Sequence, residues 1–369
     1  MTDTLLIGTR KGLAIVTRRD GAWAIDRMEF LGIPVVTVTT DPRDLAWYAS
    51  LNHGHFGVKL HRSDDRGVTW TEIATPVYPA KPDGLVEMEP MGRREIPWST
   101  EMAWVLAPGH ADEPGVLWCG TIPGGLFRSA DRGESWEIVD SLWRHETRPG
   151  WFGGGYDLPG IHSIAVDPRF GGRRVIIAIS CGGVWITEDG GATWQVSTGM
   201  KAGFAPPEVS MVPHTQDPHC LSVCAADPDV VWVQHHSGIY KSTDAGRTFT
   251  EIADVAPSVF GFPVSAHPLD PDTAWFIPAV DDGCRVPVDG KMVVTRTRDG
   301  GQTFDQLSRG LPQEHAYDLI YRHGLDVDAT GTRLAMGSTT GSLWISEDGG
   351  DVFSTITNYL PPISAVRFA

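Results

Sequence analysis

Thirteen histidines are distributed through this 369-residue chain, and several stand where they could do chemistry. His53-Gly54-His55 and His235-His236 each set two imidazoles close together, while His162, His214, His219 and His315 stand singly. Imidazole titrates near neutral pH, so it suits both proton transfer and metal ligation. His162, His219, His236 and His315 are the acid–base candidates, with Tyr317 beside the last. His53, His55, His214 and His235 are the metal candidates, with Asp217 as an oxygen ligand. Three or four such groups would hold zinc or another imidazole-preferring divalent metal. No HExxH-type spacing is present, so a metal site would have to be assembled from separate segments. If His235 and His236 lie in a strand, the pleat sends them to opposite faces, and at most one reaches a shared site. For any single histidine, a polar loop residue bonded to a nearby carbonyl is the ordinary reading; the set as a whole points to a pocket.

Two other chemistries are open to the same segments. Glycoside hydrolysis needs two carboxylates, or a tyrosine with a carboxylate. Asp157 and Glu208 lead the candidates, alongside Glu101, Asp217, Asp281, Asp282, Glu314 and Asp318, with Tyr156 as a second tyrosine. Elimination next to a uronic acid needs a base, an acid and a cation over the carboxylate. Histidine and tyrosine supply the first two, and Arg285, Arg10 or Lys291 the third, with Arg285 the preferred anion clamp. Loop aromatics such as Trp98, Trp143, Trp151, Phe204, Phe260 and Phe262 could stack on a sugar. Packing of long loops onto the frame is the commoner role for most of them.

These residues must be positioned by a repeated element. The pattern Ser/Thr-x-Asp-x-Gly-x-Thr-aromatic occurs at Ser63–Trp70, Ser129–Trp136, Thr187–Trp194, Ser242–Phe249 and Thr297–Phe304. It recurs at Ser346–Phe353, where Val352 replaces the small polar residue, and in a shortened form at Thr17–Trp23. Self-similarity at a period of roughly 50 residues is the signature of a stacked-unit fold. The motif reads as a turn: Asp accepts backbone N–H groups, Gly supplies a positive φ, and the aromatic folds back under neighbouring strands.

Around each turn run short β-branched stretches bounded by Gly, Pro and Asp, as strands require. In 161–197 they are HSIAVDP, VIIAIS, GVWITE and TWQVS. The expected fold is all-β: one seven-bladed β-propeller of four-stranded antiparallel blades. The blades are 33–75, 99–140, 161–197, 219–253, 262–308 and 316–357, with the remaining one built from 3–30 plus 361–369. That blade lacks its first strand at the N-terminus, and the C-terminal ISAVRF run provides a spare. The two ends are therefore expected to share a blade and close the ring, which removes exposed sheet edges. The long links 76–100, 140–161 and 198–219, and most of the histidines above, then fall on the face away from the repeated turns, at the mouth of the channel.

The repeats resemble the Asp box, or BNR repeat, of sialidases and related β-propellers, in which the box is a structural staple away from the active site. The segments WFGGGYDLPGIHSIAVDP, QDPHC, RTRDGGQTF and GSTTGSLWISEDGG are similar to a group of cytoplasmic bacterial BNR-repeat proteins. Sialidases also carry a Phe/Tyr-Arg-Ile-Pro segment near the N-terminus; here Arg94-Glu95-Ile96-Pro97 is the nearest string, so the resemblance extends to the repeats and not to a true sialidase site. What it implies is a glycosyl hydrolase-like or lyase-like, carbohydrate-active propeller. A non-catalytic propeller that binds a protein or peptide is the alternative, and a metal-dependent enzyme on a non-sugar substrate a second.

Composition bounds these readings. A net charge of −16 disfavours nucleic acid and anionic membranes as partners. Five cysteines with no CxxC spacing suit reduced thiols and a cytoplasmic setting. No export signal is read at the N-terminus. The expected partner is a carbohydrate or other small molecule, or a protein.

Overall fold

The computed structural model describes residues 2–369. Its strands form seven four-stranded antiparallel sheets, a seven-bladed β-propeller. Among the described residues, no helix is long and apolar enough to cross a membrane. The chain divides into two compact units. One is the segment ending at Val38 with His219–Ala245 and Thr250–Ala369; the other is Thr39–Pro218 with Gly246–Phe249.

In the first unit the chain termini share a sheet, as the strand count requires. Ile363–Phe368 pairs antiparallel with Thr4–Thr9, followed by Gly12–Arg19 and Ala22–Glu29. Leu5 faces Phe368 and Ile7 faces Val366, and Leu5, Ile7, Val16, Leu343, Ile363 and Val366 form one buried core. The other sheets of this unit begin on Pro218–Val223, Gly261–Ala266 and Leu325–Val327. The last is shorter than the run from Tyr317 to Asp328 suggests. Asp318 there accepts the Ser338 hydroxyl at 2.8 Å, and the chain joins the ladder only at Leu325.

The second unit carries the sheets that begin on Met102–Pro108 and Ile161–Val166. A further sheet begins on Val35–Thr40, the strand in which one unit passes into the other, and continues through Trp47–Asn52, Val58–Ser63 and Thr71–Ile73. Bulky aromatics from the middle strands fill the cores: Trp118 and Trp185 in this unit, joined by Trp151 from the link 140–161, Trp232 and Phe276 and Trp275 and Trp344 in the first. Each ring removes a large apolar area from water, and such burial dominates the stability of a fold with few helices.

The repeated turns have one geometry. At Asp189 the carboxylate accepts Thr193 N at 2.9 Å, the Thr193 hydroxyl at 2.6 Å and the Thr187 hydroxyl at 2.8 Å. Thr187 Oγ1 in turn accepts Gly191 N at 2.8 Å. Asp65 and Asp299 repeat this set. Two consecutive residues take positive φ, Arg66 then Gly67, or Gly190 then Gly191. The second is always glycine among these; the first tolerates arginine.

The threonine hydroxyl and N–H donors hold the Asp65, Asp189 and Asp299 carboxyls down to about 2. A carboxyl depressed in the folded state binds fewer protons there than in the unfolded chain between the two pKa values. Its contribution is therefore present above the ordinary value of about 4 and lost as pH falls toward 2. The part of the urea midpoint that these three carboxylates supply should be constant from neutral pH to about 4 and fall below it. The triple substitution Asp65→Asn, Asp189→Asn, Asp299→Asn should flatten that fall and lower the plateau; an unchanged acid slope would overturn this assignment.

Candidate functional site

In the first unit, side chains from three sheets meet around Phe262. His219 lies near the start of its strand and is 3% exposed. Its Nδ1 donates to the Gly261 carbonyl at 2.7 Å. A carbonyl only accepts, so Nδ1 carries the proton and Nε2 is the acceptor nitrogen of the neutral ring. The His219 ring stacks on Phe262, 4.5 Å between centroids with planes 10° apart. His236 stands edge-on to His219 at 5.3 Å and to Phe260 at 5.6 Å, and ring nitrogens of the two histidines lie within 4.8 Å. His236 reaches this place because the strand Val231–His235 ends one residue earlier. Ser237 N then donates to His235 Nδ1 at 3.0 Å, closing the turn.

Two guanidiniums share the same ring. The central carbon of Arg285 lies 5.6 Å, and that of Arg322 5.5 Å, from the Phe262 centroid. Tyr321 meets Phe262 edge-on at 5.4 Å. Phe262 and Arg322 form a floor, 2% and 7% exposed, whereas Tyr321 is 39% exposed and His236 and Arg285 are half-buried. Arg285 also donates to the Asp282 carboxylate and, at 3.0 Å, to the Asp282 carbonyl. The cluster thus presents the His236 imidazole, the Tyr321 phenol and the Arg285 guanidinium at its rim, over a floor of Phe262, His219 and Arg322. Together these can bind a flat or anionic ligand and move a proton.

The second unit has its own polar cluster. Asp217, 2% exposed, accepts Cys181 N at 3.2 Å and Ser180 Oγ at 3.5 Å. Gly154 covers it so closely that a Cβ there would lie 2.7 Å from Ser180 Oγ and 2.9 Å from Asp217 Oδ2. Arg93 donates to Glu89 at 2.9 Å and to the Gly153 carbonyl at 3.0 Å. Burial alone would raise the Glu89 carboxyl; the Arg93 side chain and the Arg93 and Met91 N–H groups outweigh it and hold the group low. Arg148 pairs with Glu87 and lies 4.1 Å over Trp143. The links 76–100 and 140–161 are therefore ordered by ion pairs, and Trp143 and Trp151 pack them rather than offering a sugar platform.

Of the other residues read from sequence, His162 is fully buried; its Nε2 donates to the Pro218 carbonyl at 2.8 Å and its Nδ1 accepts the Ser163 hydroxyl at 3.0 Å. Both nitrogens serve the frame. His235 is likewise fully buried, its ring against Tyr240; His236 lies past the end of that strand, so the pleat expected to separate the pair does not apply to it. His53 and His55 pack on Phe56 in a 3-10 turn. His214 is lowered by burial and by the neighbouring His145. Among the described residues, none of His53, His55, His214 or His235 joins a group of three ligand atoms within 4.8 Å. Asp157, Glu208, His315 and Tyr317 are exposed, Tyr317 at 64%. Tyr321, Arg322, Glu89 and Arg93 were missed. The first two sit in a run that reads as strand interior, and the second pair had only its four-residue charge spacing to mark it.

The fold and this cluster define a seven-bladed propeller with an imidazole–guanidinium site on one of its units. No family model matches the chain. A probable oligoxyloglucan-reducing end-specific xyloglucanase of Neosartorya fischeri is 25% identical over 302 residues, covering 73% of this chain and 33% of that protein. The chain thus spans about a third of that relative's length. Among solved structures, the GH74 xyloglucanase from Xanthomonas campestris is similar at TM-score 0.65 and 17% identity, over 96% of this chain and 52% of that one. YCF48 bound to D1 peptide is similar at TM-score 0.52 and 13% identity, over 87% and 81%. These structural likenesses concern the fold.

Proposed function

We propose that this propeller is a carbohydrate-active enzyme whose acid–base chemistry runs through His219 and His236. The observation that carries the reading is the imidazole pair packed on Phe262 and Phe260 with the 39% exposed Tyr321 against the same phenyl ring, because a saccharide site needs an accessible aromatic and a proton-transfer group beside it. The Gly261 carbonyl fixes the His219 tautomer, which keeps one nitrogen as the acceptor a general base needs. The xyloglucanase relative supports the substrate class. We also assign the protein to the cytoplasm, on its odd set of five cysteines.

The test is turnover on a panel of neutral and acidic oligosaccharides, read by reducing ends and by ultraviolet absorbance. His236→Ala is expected to lower kcat/KM on the accepted substrate by about 100-fold or more. His236 is half-buried, so the variant should fold normally; unchanged turnover would remove the pair from the chemistry. The same two nitrogens also suit a divalent metal. Elemental analysis of the purified protein separates the cases: a transition metal near one per chain, lost in His236→Ala, favours metal-dependent chemistry.

A second reading has its own observation. Val86, Met88, Met91, Phe204 and Met211 expose 45–68% of their surface on the long links of the second unit. Exposed, adaptable methionines of this kind suit a peptide partner. Saccharide-independent peptide capture that is lost on substituting Met88 and Met91 by Ser would favour a binding module.

A further inference from the structure

We propose that the saccharide carries a carboxylate, and that the reaction is β-elimination next to it. The inference rests on the carbohydrate reading above and names its substrate class. Two guanidiniums lie within 6 Å of one phenyl ring, Arg285 at the rim and Arg322 in the floor, and a rim guanidinium suits a charged sugar better than a neutral one. The ring enclosed by Arg285, Arg322, His219 and Tyr321 is 2% exposed, so it holds these groups in place and the ligand meets the rim of His236, Arg285 and Tyr321. Arginine presents parallel N–H donors that match a carboxylate. Arg285 is half-exposed, pairs with Asp282 within its own hairpin and lies against Phe262, so its guanidinium stands at the rim where a ligand carboxylate can share it. Phe260 and Phe262 pack edge-to-face, 5.5 Å apart, and hold the rim groups from below; Tyr321, 39% exposed, is the aromatic a pyranose can meet.

Elimination uses the groups assembled here. A carboxylate paired with guanidinium makes the adjacent C5–H more acidic, because the cations stabilise the charge that develops as the proton leaves. The C5 proton passes to an imidazole of the pair. Its electron pair forms the C4=C5 double bond as the C4–O4 bond breaks. The departing oxygen takes a proton from the second imidazole or from the Tyr321 phenol. Two shortened sugars result, one with a conjugated unsaturated carboxylate, and no other reactant is consumed.

The experiment uses the full chain with oligogalacturonate and oligoglucuronate, and with the corresponding neutral galactose and glucose oligosaccharides. Binding is read by calorimetry and reaction by ultraviolet absorbance of the unsaturated product. The expected result is binding and absorbance with acidic sugars only, and at least a tenfold loss of affinity in Arg285→Gln. That residue is at the rim, so folding is preserved; Arg285→Lys should recover part of the affinity through charge alone. Tyr321→Phe, also at the rim, should lower kcat more than it changes KM. Cleavage of neutral oligosaccharides without the chromophore would overturn this inference and leave the carbohydrate reading standing. Inactivity and lack of binding on every saccharide would overturn both. Equal affinity of Arg285→Gln and the native chain for the acidic sugars would remove the arginine clamp.

Discussion

A chain ending at Pro362 is expected to lose cooperative folding. The missing seven residues include the strand Ile363–Phe368, whose Ile363, Ala365 and Val366 are 2% or less exposed. Burial of Ile363 and Val366 alone is worth about 1.5–3 kcal/mol each. Backbone pairing along Thr4–Thr9 goes with it, including Ala369 N to the Thr4 carbonyl at 3.0 Å. The Ser364 hydroxyl bonds to the Gly8 and Val35 carbonyls are lost too. Together these approach the whole net stability of an ordinary domain, about 5–15 kcal/mol. The uncovered Thr4–Thr9 strand then presents an unpaired edge, which promotes aggregation. Urea unfolding and light scattering of the truncated chain measure both effects. A circular permutant that joins Ala369 to Thr2 by a short linker and opens the chain before Ile363 should fold, because it keeps the strand beside its partner. A truncated chain within about 1 kcal/mol of the full one would show that the shared sheet is dispensable.

Gly199→Ala and Gly310→Ala are each expected to cost about 3 kcal/mol or more. Both glycines have positive φ, 92° and 84°. A Cβ at Gly199 would lie 2.1 Å from the Phe249 carbonyl oxygen, and one at Gly310 1.8 Å from the Phe353 carbonyl oxygen. Backbone, not a flexible side chain, stands in the way. In both places the chain leaving one sheet is bonded to the aromatic of the next repeated turn: Phe249 N donates to Thr198 O, and Phe353 N to Arg309 O, each at 2.9 Å. The steric conflict therefore breaks that backbone bond in each place. Gly171, with φ 58° and nothing within 4 Å of a Cβ, is the control; its Ala variant should lose only about 1 kcal/mol. Denaturant midpoints at constant slope decide the matter, and equal losses at all three positions would show that backbone conformation alone accounts for the cost.

These two predictions reflect how the fold is specified. The repeat was legible because its determinants lie within eight residues: a hydroxyl, a carboxylate, a glycine and an aromatic at fixed spacing. The strands were legible because period-two alternation is local. Even the shared sheet of the termini followed from sequence, since a strand missing at one end and spare at the other leaves one arrangement without an open edge.

The site was legible only in its residue types. His219 and His236 were named with His162 and His235, and nothing in their neighbours separated them. The difference lies in where each strand ends. His235 is the last residue of its strand and turns inward, whereas His236 is one residue further and meets His219. His162 was spent on the Pro218 carbonyl, 56 positions away, a partner that local periodicity cannot show. Arg322 comes to Phe262 across 60 residues of chain, and Arg285 reaches the same ring from a different loop. Sequence by itself determined the sheets, their turns and the chemical inventory, because those depend on contacts near in the chain. Tertiary structure alone decided which imidazoles face each other and which are bonded into the frame, because side-chain direction at a strand end depends on register and on packing against distant strands.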